Sequence, residues 1–147
     1  MTTSVEFQIL EGSDLRALEV YACTQIAQWV ADGKTICAVT ESLESAERLD
    51  ALLWTFNDQS FVAHEVAGAT DAKVGQPPLP PVLIAVGRTI AADILVNLAS
   101  TVPIGFETFN RVAEFVDADP ARRDAGRRRF VAYRDRGFPP ETHKVGS

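Results

Sequence analysis

The side chains best placed to do chemistry in this chain are guanidiniums. Residues 122–136, RRDAGRRRFVAYRDR, hold seven of the fourteen Lys and Arg residues, with only Asp124 and Asp135 against them. The segment carries about +5 in a chain of formal charge −6, so the other 132 residues carry about −11. At 100° per residue on a helix, Arg123, Arg127, Phe130 and Arg134 fall within about 40–60° of one another. They form a ribbon of three guanidiniums with an aromatic ring among them. Runs of like charge are most often solvated helix faces. The sharper reading is a pocket for a carboxylate-rich, aromatic-tipped peptide. Arginine forks grip carboxylates bidentately, and an aromatic floor stacks on an apolar side chain. The surrounding acidity suits a small acidic target and repels polyanions.

Trp54 is the second candidate. The core arc of its segment is set by Leu49, Leu52, Leu53 and Phe56, and Trp54 points away from it, beside Glu47 and Asp50. Phe61 follows after the polar stretch 57–60. Such aromatics are often covered by a loop. They also serve as protein-binding anchors, because exposed Trp and Phe are typical hot-spot residues.

Catalytic and metal chemistry find little support. His64 and His143 are the only histidines. The first reads as a hydrogen-bonded structural residue, and the second falls in a tail expected to fray. No Cys or His pair has metal spacing. The turn at residues 10–14, LEGSD, has no glycine-rich phosphate loop, and Glu11 and Asp14 would repel a phosphate. Asp93 has no acid or base partner in sequence. No cofactor and no metal are expected.

These side chains need elements to position them. Residues 5–10 have strand character. Ser13 or Asp14 caps a helix to about Asp32, with Leu15, Leu18, Ala22, Ile26 and Trp29 facing the core, and Gly33 ends it. Residues 35–40 read as a buried strand. Ser42 caps a second helix to about Phe56, with Ala46, Leu49, Leu52, Leu53 and Phe56 on one arc. Residues 60–66 form a short strand, and 67–81, rich in Gly, Ala and Pro, a loop. Strands follow at 82–86, 94–98 and 111–116. Asp117 or Asp119, with Pro120 in the first turn, opens the last helix, and Gly137 closes it. Ala121, Ala125 and Ala132 cluster on the side of that helix expected to pack on the sheet. Strands alternating with helices predict an α/β fold in three layers, a mostly parallel sheet with helices on both faces.

The whole chain, residues 1–147, fits one domain. No run of eighteen apolar residues suggests a membrane span, and the N-terminus does not read as a signal peptide. Cys23 and Cys37 sit in apolar runs and are expected to be buried, reduced thiols. A soluble cytoplasmic protein is the expectation.

Three stretches also resemble a known family. Residues 48–68 (RLDALLWTFNDQSFVAHEVAG), 82–103 (VLIAVGRTIAADILVNLASTVP) and 109–138 (FNRVAEFVDAD…RRRFVAYRDRGF) are similar to the chi subunit of bacterial DNA polymerase III. The resemblance covers nearly the whole chain. It implies a nucleotide-binding-like α/β fold that binds no nucleotide, in agreement with the missing phosphate loop. It implies a non-catalytic accessory subunit of the clamp loader, working in the nucleoid-associated replisome. One surface would bind the acidic C-terminal tail of single-stranded-DNA-binding protein, which ends in a Pro-Phe carboxylate. Val116, Arg123, Arg127, Phe130 and the Gly137 turn are the implied tail contacts, with Arg134 on the same ribbon. Another surface, at Trp54 and Phe61, would bind the psi subunit or another clamp-loader component, and a helicase can use the same surface. Phe130 stands where better-known members have Tyr, and Val131 where they have Lys; Arg128, Arg129 and Arg134 are the candidates to compensate.

The competing hypothesis is a direct nucleic-acid-binding domain using the Arg-rich helix. A groove that tracks a nucleic-acid strand carries wider positive potential and interleaved aromatics, whereas here about −11 surrounds the patch. Tight direct DNA binding is therefore not expected.

Overall fold

The computed structural model describes residues 3–55, 64–66 and 81–145, with the backbone alone for Trp54 and for residues 64–66. Seven strands and three helices follow along the described residues: β1 (Ser4–Leu10), α1 (Leu15–Ala31), β2 (Ile36–Thr40), α2 (Leu43–Thr55), β3 (His64–Val66), β4 (Val82–Val86), β5 (Ile94–Asn97), β6 (Arg111–Val116), α3 (Pro120–Asp135) and β7 (Glu141–Val145). A short 3-10 turn at Phe106–Thr108 precedes β6. The strands form one sheet in the order β3-β4-β2-β5-β6-β1-β7, and every pairing in it is parallel.

The central strands show why. ICAVT in β2 and ILVN in β5 are buried along their whole length, which only a sheet covered on both faces provides. Alternate residues serve opposite layers. Ile36, Ala38, Ile84, Val96 and Phe115 pack under α1 and α2, against Leu18, Ala22, Ile26, Ala46, Leu49 and Leu53. Cys37, Val39, Leu95, Val112, Val116 and Phe7 face the other way, under Tyr133 of α3 and the 3-10 turn with Phe106 and Phe109. The architecture is the predicted three-layer α/β fold. Among the described residues, no helix is long and apolar enough to cross a membrane.

The helix ends follow local chemistry. Asp14 accepts from the Arg16 amide and caps α1, and Gly33, at φ 86°, turns the chain after it. Ser42 accepts from the Ser45 amide at 3.2 Å at the start of α2. Asp119 caps α3 from the Arg122 amide at 3.0 Å, with Pro120 as its first residue. Cys23 and Cys37 are both free and buried, and burial pushes the Cys23 thiol up to about 12.

Four expectations need correction or delimiting. Leu15 is not a core residue: at the first position of α1 it is 36% exposed. His143 does not lie in a frayed tail. It sits in β7, which pairs with β1 from Glu6↔Glu141 to Leu10↔Val145. The face of α3 that meets the sheet is Gly126, Arg129 and Tyr133, while Ala121 is exposed and Ala125 and Ala132 are half-buried. Phe56, residues 60–63 and nearly all of the 67–81 loop lie outside the described residues, as does the side chain of His64.

Candidate functional site

Helix α3 is fixed to the sheet by two carboxylates on or just after β6. Glu114 is fully buried. It accepts from Arg129 Nε at 2.8 Å, Asn97 Nδ2 at 2.7 Å and Tyr133 Oη at 2.6 Å. Arg129 Nη1 also donates to the Ser100 carbonyl at 3.1 Å. Burial pushes the Glu114 carboxyl up; the Arg129 charge and the three hydrogen bonds oppose that push. Its neighbours present donors to both oxygens, an arrangement suited to a carboxylate. Two turns toward the start of α3, Arg122 donates from Nε and Nη2 to the buried Asp117 at 3.0 and 2.9 Å, and from Nη2 to the Ser13 carbonyl. Sequence reasoning had no signal for either pair, since both arginines look like members of one charged run.

Between these anchors the helix sits very close to β6. A methyl group on Gly126 would lie 2.6 Å from a Val116 methyl, so only glycine permits this approach. That closeness brings Arg123, Arg127 and Phe130 down beside the strands. Phe130 is half-buried, with its ring 5.5 Å from that of Phe7. The result is a groove of about 530 Å3 between α3 and β7. Its apolar floor includes Phe7, Ile9, Val116 and Phe130, and its walls carry Arg123, Arg127, Thr142 and Lys144.

The groove therefore unites four of the six residues expected to hold a peptide tail: Val116, Arg123, Arg127 and Phe130. Arg134 and Gly137 do not line it. Arg134 is exposed, 3.6 Å from Asp135, and Gly137, at φ 90°, forms the turn that ends α3. Sequence reasoning missed Phe7, Ile9, Thr142 and Lys144. The first two were legible only as strand residues. The others stand on an edge strand whose exposed, polar residues give no alternating pattern.

The structure also sorts the seven arginines by use. Arg122 and Arg129 hold the helix in place, and Arg128 pairs with Asp124 at 2.8 Å on the outer face. Arg129 is thus removed from the set that could compensate for Val131. The Arg136 guanidinium lies 5.9 Å from the centre of the Phe106 ring. Among the described residues, the side chains of Arg123 and Arg127 make no ion pair or hydrogen bond. Two uncommitted guanidiniums over an apolar floor can take carboxylates and an apolar side chain together.

A second cavity, of about 310 Å3, opens at the carboxyl ends of β2, β5 and β6. Open α/β sheets bind ligands in this position when a glycine-rich turn exposes helix amides to a phosphate. Here Asp14 and Asp119 place carboxylates on those amides, Glu19 and Glu41 line the space, and the three arginines that also line it, Arg48, Arg122 and Arg129, are each already paired with a carboxylate. The local chemistry opposes a nucleotide. At the other end of the sheet, Asp93 accepts from the Thr35 amide and hydroxyl at 2.9 and 3.1 Å, a structural use of that carboxylate.

Trp54 lies in the last turn of α2, with its side chain outside what is described, and Phe61 falls outside the described residues.

The sequence matches the family described as "DNA polymerase III chi subunit, HolC" over residues 1–141. It is 30% identical over 145 residues to the DNA polymerase III subunit chi of Pseudomonas aeruginosa, covering 97% of each chain. The corresponding Haemophilus influenzae protein is 28% identical over 148 residues, covering 99% of this chain and all of that one. With the Escherichia coli protein of the same name the identity is 30% over 124 residues, covering 84% of this chain and 83% of the relative. An α/β chain that matches along almost its entire length belongs to the DNA polymerase III chi subunit family.

Proposed function

We propose that this chain is a non-catalytic adaptor of the replication clamp loader, and that its α3–β7 groove binds the acidic C-terminal tail of single-stranded-DNA-binding protein. Family membership makes it an accessory subunit of the replicative polymerase. The observation that carries the finer reading is the groove itself. Arg123 and Arg127 stand uncommitted beside a floor of Phe7, Val116 and Phe130, in a chain that is acidic elsewhere. That combination suits a short peptide with carboxylates and an apolar end. It suits a long polyanion poorly, because most of the other α3 arginines already have protein partners. The expected setting is the cytoplasmic, nucleoid-associated replisome.

The test is a titration with a peptide ending in Asp-Pro-Phe, as the free carboxylate and as the amide. The free acid should bind and the amide should bind much more weakly. Single-stranded and duplex DNA should bind only weakly at about 150 mM salt, since neutralising few phosphates gives little affinity there. Submicromolar binding of single-stranded DNA by the isolated chain would instead favour the direct nucleic-acid-binding domain.

The second surface of the adaptor is proposed at Trp54 and Phe61, facing the psi subunit, another clamp-loader component or a helicase. A bridge must hold both partners at once, so its two sites have to be separate. Trp54→Ala should abolish capture of the clamp-loader side while leaving tail-peptide affinity and melting temperature nearly unchanged. Truncating a core Trp typically costs about 3–5 kcal/mol. A large fall in melting temperature would return Trp54 to the core and end the interface reading.

A further inference from the structure

Strand β7 adds a wall to the groove that the arginine helix alone does not provide. Residue alternation puts Thr142 and Lys144 on the face of the sheet that carries α3, while His143 lies on the other side near Glu6 and Glu141. Register fixes the height of Lys144. Ile9 pairs with Lys144 on one side and with Val116 on the other. Val116 is the residue on which Gly126 rests. Lys144 therefore stands two strand spacings from Val116, about 10 Å between backbones, at the level where α3 touches the sheet. Arg123 and Arg127 lie three residues before and one after Gly126 on the same helix. Three cations thus border the groove, two from α3, one turn apart, and one from the edge strand. Among the described residues, Lys144 makes no ion pair. The acidic groups that line the groove are Glu11, which is exposed, and Asp117, which is committed to Arg122.

We propose that Lys144 is a specificity-determining residue of this groove, and that it reads an acidic side chain of the bound peptide upstream of the terminal carboxylate. This rests on the peptide-binding function proposed above and deepens it. A groove with one cationic wall selects a free carboxyl end. With cations on both walls it also selects a chain that is acidic ahead of that end. The plain alternative is that Lys144 is an edge-strand charge that deters pairing with other strands. A guard of that kind has no reason to distinguish one bound peptide from another.

The experiment is a double-mutant cycle with two peptides, one ending Asp-Asp-Asp-Pro-Phe and one ending Asn-Asn-Asn-Pro-Phe, both with free carboxylates. Lys144→Gln should weaken the acidic peptide roughly three- to tenfold, the scale of a partly exposed charge pair. It should leave the asparagine peptide within experimental error, and Lys144→Arg should retain most of the acidic preference. Lys144 is exposed, so folding should be preserved, and an unchanged melting temperature checks this. Equal losses for both peptides, or no loss for either, would overturn the assignment. Failure of the unmodified chain to bind the acidic peptide at all is a different outcome: it removes the proposed function itself, and this inference with it.

Discussion

Arg129→Ala should lose about 3–5 kcal/mol of folding stability, because it leaves the Glu114 carboxylate buried without its charge partner. Arg129 is 6% exposed and Glu114 fully buried, so water cannot readily replace the lost guanidinium. For a chain of this size the loss corresponds to a fall of roughly 10 °C or more in melting temperature. Chemical or thermal unfolding measures it directly. Adding Glu114→Gln to an Arg129→Met background should recover part of the loss. The buried charge is then gone, while an oxygen remains to accept from Asn97 and Tyr133. A loss below about 1 kcal/mol for Arg129→Ala would show that Glu114 sheds its charge at little cost, and that the pair does not anchor α3.

This pair also marks where sequence reasoning stopped. The α/β layering was legible because ICAVT, VLIAV and ILVN are continuous apolar runs, and the helices between them carry caps and an apolar period. The uncommitted arginines were legible too, since Arg123, Arg127 and Phe130 share a face on any helix. What could not be read was which arginines face inward. Arg122 and Arg129 differ from their neighbours only through Asp117 and Glu114, whose importance comes from burial after folding. The helix-to-sheet contact was misplaced onto the alanines for the same reason. Small side chains looked suited to close packing, but the contact is made by Gly126 and flanked by an arginine and a tyrosine that a buried carboxylate draws inward. Strand β7 escaped because an edge strand at the rim of a parallel sheet needs no apolar face. Its residues ETHKV carry no periodic signal, and its place is set by pairing with β1. The groove was therefore seen as one wall when it has two.

Arg127→Ala should weaken binding of the acidic tail peptide by about 2–5 kcal/mol if its guanidinium pairs with a largely desolvated carboxylate. Arg127 is exposed in the free protein, so that condition requires the bound peptide itself to cover the pair against the apolar floor of Phe130 and Val116. The loss should appear mostly as faster dissociation, the usual effect of removing one partner of a buried charge pair. The choice of control matters. Arg122 lies well round the helix and would seem suitable, but it holds the buried Asp117, and its removal would disturb α3 itself. Arg128 is the better comparison: it is exposed, pairs only with Asp124 four residues earlier, and leaves the chain's net charge the same as Arg127→Ala does when truncated. Arg128→Ala should cost well under 1 kcal/mol of peptide affinity, the ordinary scale for an exposed charge. If both variants bind the peptide equally poorly, attraction is diffuse and no carboxylate is gripped in the groove. If Arg127→Ala alone loses binding, with its melting temperature unchanged, the effect belongs to the guanidinium that the fold leaves free above Phe130.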